Sequence, residues 1–238
     1  MTLLAALLAA QTPSASPIAE FFPLVPGVRR TYEIVTADGK DTMIDEVIAK
    51  SVSFEGVPAM GVSQRNGFNQ PLGTTFYEVA GSTVYEVGRA EDRSEAVTRS
   101  DGTVDFEKPR KHRTVVLALT PRVPVFRYEG KETTWTFGDV PVLKAEGEEP
   151  IKTDETAIKG SAKPGPSRTV LGRRVDTVEV RTEVQYGTGK IGQRIVETSL
   201  YGRGLGLIES IRKGSGSGGK TQETRTKLIG FEEKRDGG

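Results

Sequence analysis

His112 is the only histidine of the chain and sits in the basic run Lys108-Pro-Arg-Lys-His-Arg113. Such a cluster could contact a phosphate or an acidic head group, and His112 is the only imidazole that could serve a serine–histidine–acid hydrolase. That hydrolase would need a Gly-x-Ser-x-Gly elbow between a strand and a helix, and no such context occurs. Because no aromatic residues interleave with it, the cluster reads instead as a solvated loop offset by the acidic stretch Glu146-Gly-Glu-Glu149. Gly187-Thr-Gly-Lys-Ile-Gly192 looks like a phosphate loop, but Val184 stands where the first glycine belongs and Ile191 follows Lys190. It reads as a hairpin turn. Gly202-x-Gly-x-Gly206 lacks the helix whose N-terminus would receive a pyrophosphate. Pairs such as Asp154 with Glu155, or Asp176 with Glu179, could do acid–base work on a sugar. With 32 acidic residues, such pairs arise by chance and read as solvated surface. The absence of cysteine removes disulfides, thiolate metal sites and cysteine nucleophiles. No cofactor and no metal site is expected. An enzyme would require two acidic groups converging in a pocket with perturbed protonation, with Tyr201 or Tyr186 close by.

The elements that would position any site are strands. β-Branched and aromatic residues alternate with polar ones over residues 31–36, 41–48, 57–64, 74–79, 83–87, 176–185, 191–201, 205–212 and 222–231, between glycine-bearing turns. This predicts an all-β chain of about a dozen strands, as one strongly curved antiparallel sheet or a partly open barrel. Val178, Val180, Val184 and Tyr186 share one parity and face a core. In residues 191–201 both parities carry apolar groups, which predicts a central or bulged strand. Residues 88–113 and 145–150 are charged and aperiodic and read as exposed loops, and Gly214–Gly219 as a flexible hairpin loop. Tyr201-Gly-Arg-Gly-Leu-Gly-Leu-Ile-Glu-Ser210 carries glycine at every second position, which on a strand would let something pass close to the backbone.

At 238 residues, one β domain over residues 20–238 is expected. The net charge of +1 provides no field to draw nucleic acid. Residues 3–10 are wholly apolar and precede Gln-Thr-Pro-Ser-Ala-Ser-Pro, so residues 1–19 read as a signal peptide or disordered leader and the protein as exported. Eight residues are too few to span a bilayer, and no transmembrane segment is expected. Trp135 and Phe137, in Thr133-Thr-Trp-Thr-Phe137, share a parity and pack in the core, or else line an apolar concave groove with Val178 and Val180.

Phe21-Phe-Pro-Leu-Val-Pro-Gly27-Val-Arg-Arg-Thr-Tyr32, Trp135-Thr-Phe137 and the glycine-stepped segment at Tyr201 occur in the order of a known pattern. It resembles the bacterial exported proteins called TapB-like, with an aromatic-Pro-Leu-x-x-Gly-x-x-Trp-x-Tyr opening and a Tyr-x-x-Gly-x-Gly-Leu-Val close. Arg30 stands where that opening has tryptophan, and Gly202 replaces a residue with a side chain. The resemblance implies an envelope-associated β-sheet protein without an established enzyme activity. By analogy, bacterial lipoprotein carriers hold acyl chains on the concave face of an incomplete barrel. The matching positions, Phe21, Pro23, Leu24, Gly27, Tyr32, Trp135, Tyr201, Gly204 and Gly206, look structural. The expected role is therefore a non-enzymatic periplasmic or extracellular protein, either an assembly scaffold for an envelope protein partner or a carrier of a lipid-like ligand.

Overall fold

The computed structural model describes residues 16–54, 56–95, 111–154, 156–187, 193–215 and 221–233. They form one short helix, α1 (Pro17–Phe21), and fourteen strands. The strands are β1 (Val28–Thr36), β2 (Gly39–Phe54), β3 (Val57–Asn66), β4 (Pro71–Ala80), β5 (Thr83–Glu95), β6 (Lys111–Arg127), β7 (Thr133–Asp139), β8 (Val142–Lys144), β9 (Ile151–Lys152), β10 (Thr156–Val170), β11 (Arg173–Tyr186), β12 (Gln193–Gly202), β13 (Gly206–Ser215) and β14 (Thr221–Glu233). All belong to one antiparallel sheet, in the order β7-β10-β11-β12-β13-β14-β1-β2-β3-β4-β5-β6-β8-β9, which does not close into a barrel. β14 pairs with β1, so the first and last strands meet in mid-sheet. β12 lies inside the sheet and bulges between Leu200 and Tyr201, as its double-sided apolar pattern predicts.

A lone sheet can bury its apolar face only against itself or against a plug. This one curls, so that Val84 and Phe126 of β5 and β6 pack against Trp135, Ala162, Val178 and Val180 of β7, β10 and β11. Ile18 and Phe21 of α1 fill the end of the same cluster, Ile18 being wholly buried. The packed chain therefore starts before residue 20, and residues 1–15 of the expected leader lie outside the described residues. Trp135 sits directly opposite Gly160 in the β7–β10 ladder. Its indole occupies the space a side chain would take there, since a Cβ on Gly160 would lie 2.1 Å from the ring.

Two expectations are corrected, and two strands carried no signal in the sequence. Residues 88–95 and 111–113 are not loop but extend β5 and β6 into a long ribbon with register Arg89↔Leu117 to Glu95↔Lys111. Its surface is charged, with Arg93 paired to Glu148 at 2.7 Å, so burial left no apolar period to read. The side chain of His112 and residues 96–110 lie outside the described residues, as do residues 188–192 and 216–220 of the two expected turns. β10 and most of β6 had no strand signal because Pro121, Pro124, Pro164 and Pro166 interrupt them. β7 covers β10 only at Thr156–Ala162 and β8 covers β6 only at Ala118–Thr120, so these prolines fall where one ladder edge is open and remove no bond there. Second, the glycine step itself, residues 202–206, is the turn between β12 and β13 and not a flattened strand face, because Gly204 and Gly206 both have positive φ, while the strand expected over residues 205–212 is β13.

Gly160→Ala should lower the free energy of unfolding by about 1–3 kcal/mol or more through overpacking against Trp135. Gly138→Ala, in the adjacent strand with open space around it, should change it by less than about 0.5 kcal/mol. Denaturant titration followed by Trp135 fluorescence measures both.

Candidate functional site

Phe126 of β6 and Tyr201 of β12 stack at 4.7 Å between ring centroids with an interplanar angle of 24°. Phe22, just after α1, reaches the same place, 5.2 Å from the Tyr77 ring and 6.1 Å from Tyr201. Aromatic contacts thus tie the two limbs of the curled sheet together and divide its concave side in two.

On one side of Tyr201 lies a cleft of about 410 Å³. Its apolar wall comes from Leu119, Val123, Ile158, Val180 and Val184 on β6, β10 and β11. Its polar wall is Glu86, Arg89, Thr182, Glu197 and Ser199. Arg89 Nε donates to Glu86 at 2.5 Å, and the Ser199 hydroxyl donates to Glu197 at 2.9 Å. A volume of this size with one greasy and one hydrogen-bonding wall suits a small organic ligand.

On the other side is a chamber of about 170 Å³ lined by Phe22, Tyr32, Tyr77 and Tyr201 around Arg30 and Asp45. Arg30 is 6% exposed. Its Nε donates to the Leu205 carbonyl and Nη2 to the Pro23 carbonyl, both at 2.7 Å. A Cβ on Gly206 would come 3.0 Å from Arg30 Nε, so glycine there admits both the turn and the cation. Arg30 thus joins the aromatic-proline lead-in to the β12–β13 turn. Burial pulls its pKa down from the usual value, with Tyr32 and Asp45 acting the other way. Asp45 accepts a hydrogen bond from Gln64 Nε2 at 3.2 Å. Burial pushes its pKa up to about 6, against the opposing pull of that hydrogen bond and of Arg30. Tyr32, Tyr77 and Tyr201 are pushed well above the usual phenol range, chiefly by burial.

Of the four residues expected to line an apolar groove, Val180 alone lines the cleft. Trp135 and Val178 are packed in the central cluster with Val180, and Phe137 packs on Leu119, Val123 and Ile158 beneath it. The indole sinks out of reach of the concave surface because Gly160 gives it room. The motif residues do converge. Phe21 meets Tyr128 edge-on at 5.6 Å, Gly27 turns with φ 79°, Tyr32 is buried, and Gly204 N–H donates to the Glu20 carbonyl at 2.7 Å. Asp45, Glu86 and Glu197 were not singled out by the sequence. Asp45 shares its parity in residues 41–48 with Met43 and the buried Val47, so a carboxylate on the apolar side of that strand was the signal available.

No family model matches the chain, and no curated protein matches it. The resemblance to the TapB-like proteins therefore rests on its short motifs. Among solved structures, a candidate lipoprotein of Parabacteroides distasonis ATCC 8503 aligns at 10% identity and TM-score 0.43, covering 89% of this chain and 98% of that one. A candidate exported protein of Bacteroides fragilis NCTC 9343 with a YmcC-like fold aligns at 12% identity and TM-score 0.40, covering 90% and 99%. Neither likeness bears on what this chain does.

Asp45 binds its proton more tightly folded, with a pKa of about 6, than unfolded, where it is near 3.8. Between those values the folded state holds more protons, so stability falls as pH rises through that window. The contribution is full below pH 4 and lost above pH 6, up to about 3 kcal/mol. Asp45→Asn should remove this part of the pH dependence. Urea unfolding of both proteins at pH 4 and pH 7 measures it, and an unchanged difference between the two pH values would exclude Asp45 as its source.

Proposed function

We propose that this protein is an exported, non-enzymatic carrier that holds a lipid-like or other largely apolar small ligand on the concave face of its sheet. The observation supporting this reading is the cleft of about 410 Å³, walled by aliphatic side chains on one side and polar ones on the other. It lies between limbs of one open sheet, so entry needs no opening of a closed barrel. Its apolar wall is built by strands whose outer faces carry ion pairs, such as Lys163 with Glu179 at 3.1 Å and Arg194 with Glu183 at 2.9 Å. Thr182→Trp would place an indole in the cleft from a partly buried position. Saturable binding of the neutral fluorophore N-phenyl-1-naphthylamine is expected for the native protein, and at least about tenfold weaker binding for this variant. Absence of saturable binding to the native protein would end the carrier reading.

Export is supported by the apolar run of residues 3–10. Among the described residues, no helix is long and apolar enough to cross a membrane. Ser16 Oγ donates to the Gly81 carbonyl and Ile18 is wholly buried, so removal of a leader must spare both. N-terminal sequencing of protein from the envelope fraction should find a chain starting at or before Ser16 but after residue 10. An intact Met1 on cytosolic protein would overturn the localisation.

A scaffold role is the second reading, and Phe68 favours it. This ring is 84% exposed at the tip of the β3–β4 hairpin. The tip is held by Asn66, whose side-chain carbonyl accepts from Phe68 N–H at 3.1 Å and Gln70 N–H at 2.9 Å. An ordered loop that presents a phenyl ring to water suits a protein contact. In-cell crosslinking through position 68 should capture an envelope partner that Phe68→Ser loses, and an empty result in both would remove the scaffold reading.

A further inference from the structure

The charges lining the concave face do not cancel. In the cleft, Arg89 is closed on Glu86. Glu197 and Asp154 line the same space, and among the described residues neither forms an ion pair. In the smaller chamber, Arg30 commits two donors to the carbonyls of Leu205 and Pro23 and lies against the Gly206 backbone. Asp45, which lines the same chamber, has only the neutral amide of Gln64 within hydrogen-bonding distance and no ion pair among the described residues. Carboxylates thus sit on both sides of Tyr201, Glu197 held by the neutral hydroxyl of Ser199 and Asp45 by the amide of Gln64 and the unbonded charge of Arg30. Both carboxylates act on the Tyr201 hydroxyl, adding to burial in raising its pKa.

Between those carboxylates the surface is aromatic. Phe22, Tyr77 and Tyr201 line the chamber, with the Phe22 ring in contact with each of the other two, and Tyr201 faces the cleft as well. Aromatic faces beside a carboxylate attract cations, through the ring quadrupole and the anionic charge together, and most strongly where water is excluded. An anionic head group would meet Glu197 and Asp45, while Arg89 is closed on Glu86 and Arg30 is held through Nε and Nη2 by two carbonyls. Resting on the carrier reading above, we propose that the ligand is a cationic amphiphile, with its chain along Leu119, Val123, Ile158 and Val184 and its ammonium group at the Tyr201 ring between Glu197 and Asp45.

The test uses the whole folded protein with two single-chain probes of ten carbons and opposite head-group charge, decylammonium and decanoate, both below their micelle concentrations at pH 7.5. Titration calorimetry should show decylammonium bound at least about tenfold more tightly, the scale of a cation–π contact reinforced by a carboxylate. Glu197→Gln and Asp45→Asn should each reduce that preference, while Glu232→Gln, on the exposed face of β14, should retain it. Near-UV circular dichroism establishes that each variant is folded. Equal binding of the two probes, or tighter binding of decanoate, would overturn the head-group assignment and leave the carrier reading standing. A preference that survives both Glu197→Gln and Asp45→Asn would overturn the site. Failure of both probes and of the neutral fluorophore to bind would overturn the carrier reading itself.

Discussion

The stack of Phe126 on Tyr201 is the contact on which the molecule's shape depends. A single open sheet of fourteen strands has no second layer to cover its apolar face, and it buries that face only by bending one limb onto the other. The stack joins β6 to β12 across the concave side, and Phe22 packs against both rings. A sheet bent this far without closing leaves space on its concave side above and below the junction. The cleft and the chamber are those two spaces, and Tyr201 belongs to both. The packing of the limbs and the lining of both spaces therefore share a residue, and changes at Tyr201 will not separate them cleanly.

Arg30 serves the same junction from the other side. A buried guanidinium is costly unless its donors are occupied. Here the lead-in segment supplies one acceptor and the β12–β13 turn the other, so the cation fixes α1 and its aromatic residues against the sheet end. Arg30 also brings a cation into the chamber, near Asp45. Asp45, Gln64 and Thr75 complete the polar lining of the chamber. Gly206 then has two duties, the left-handed turn and the clearance for Arg30.

Much of the fold was legible because alternation survives wherever one face of a strand is wet. The hairpins β1–β2 and β4–β5, and the run from β11 to β14, all show it. β6 and β10 were hidden by prolines that the sheet tolerates at open edges, and the ribbon of β5 and β6 by charge on its surface. The site was less legible. Trp135 drew attention as the sole tryptophan, but a glycine twenty-five residues away in sequence lets it sink into the core. The polar lining at Asp45, Glu86 and Glu197 comes from three separate strands, and although Asp45 shares a parity with Val47 and Glu86 with Val84, nothing along the chain links the three. Only the curl turns those faces towards one another, and no spacing along the chain encodes it.

The central claim is that the concave face is a binding site that the native protein fills. Native mass spectrometry of protein recovered gently from the envelope fraction, followed by denaturation and organic extraction, tests it most directly. The account predicts a complex heavier than the polypeptide by the mass of one small amphiphile, which is released on denaturation and recovered in the organic phase. A bare polypeptide mass before and after denaturation, with an empty extract, would contradict it.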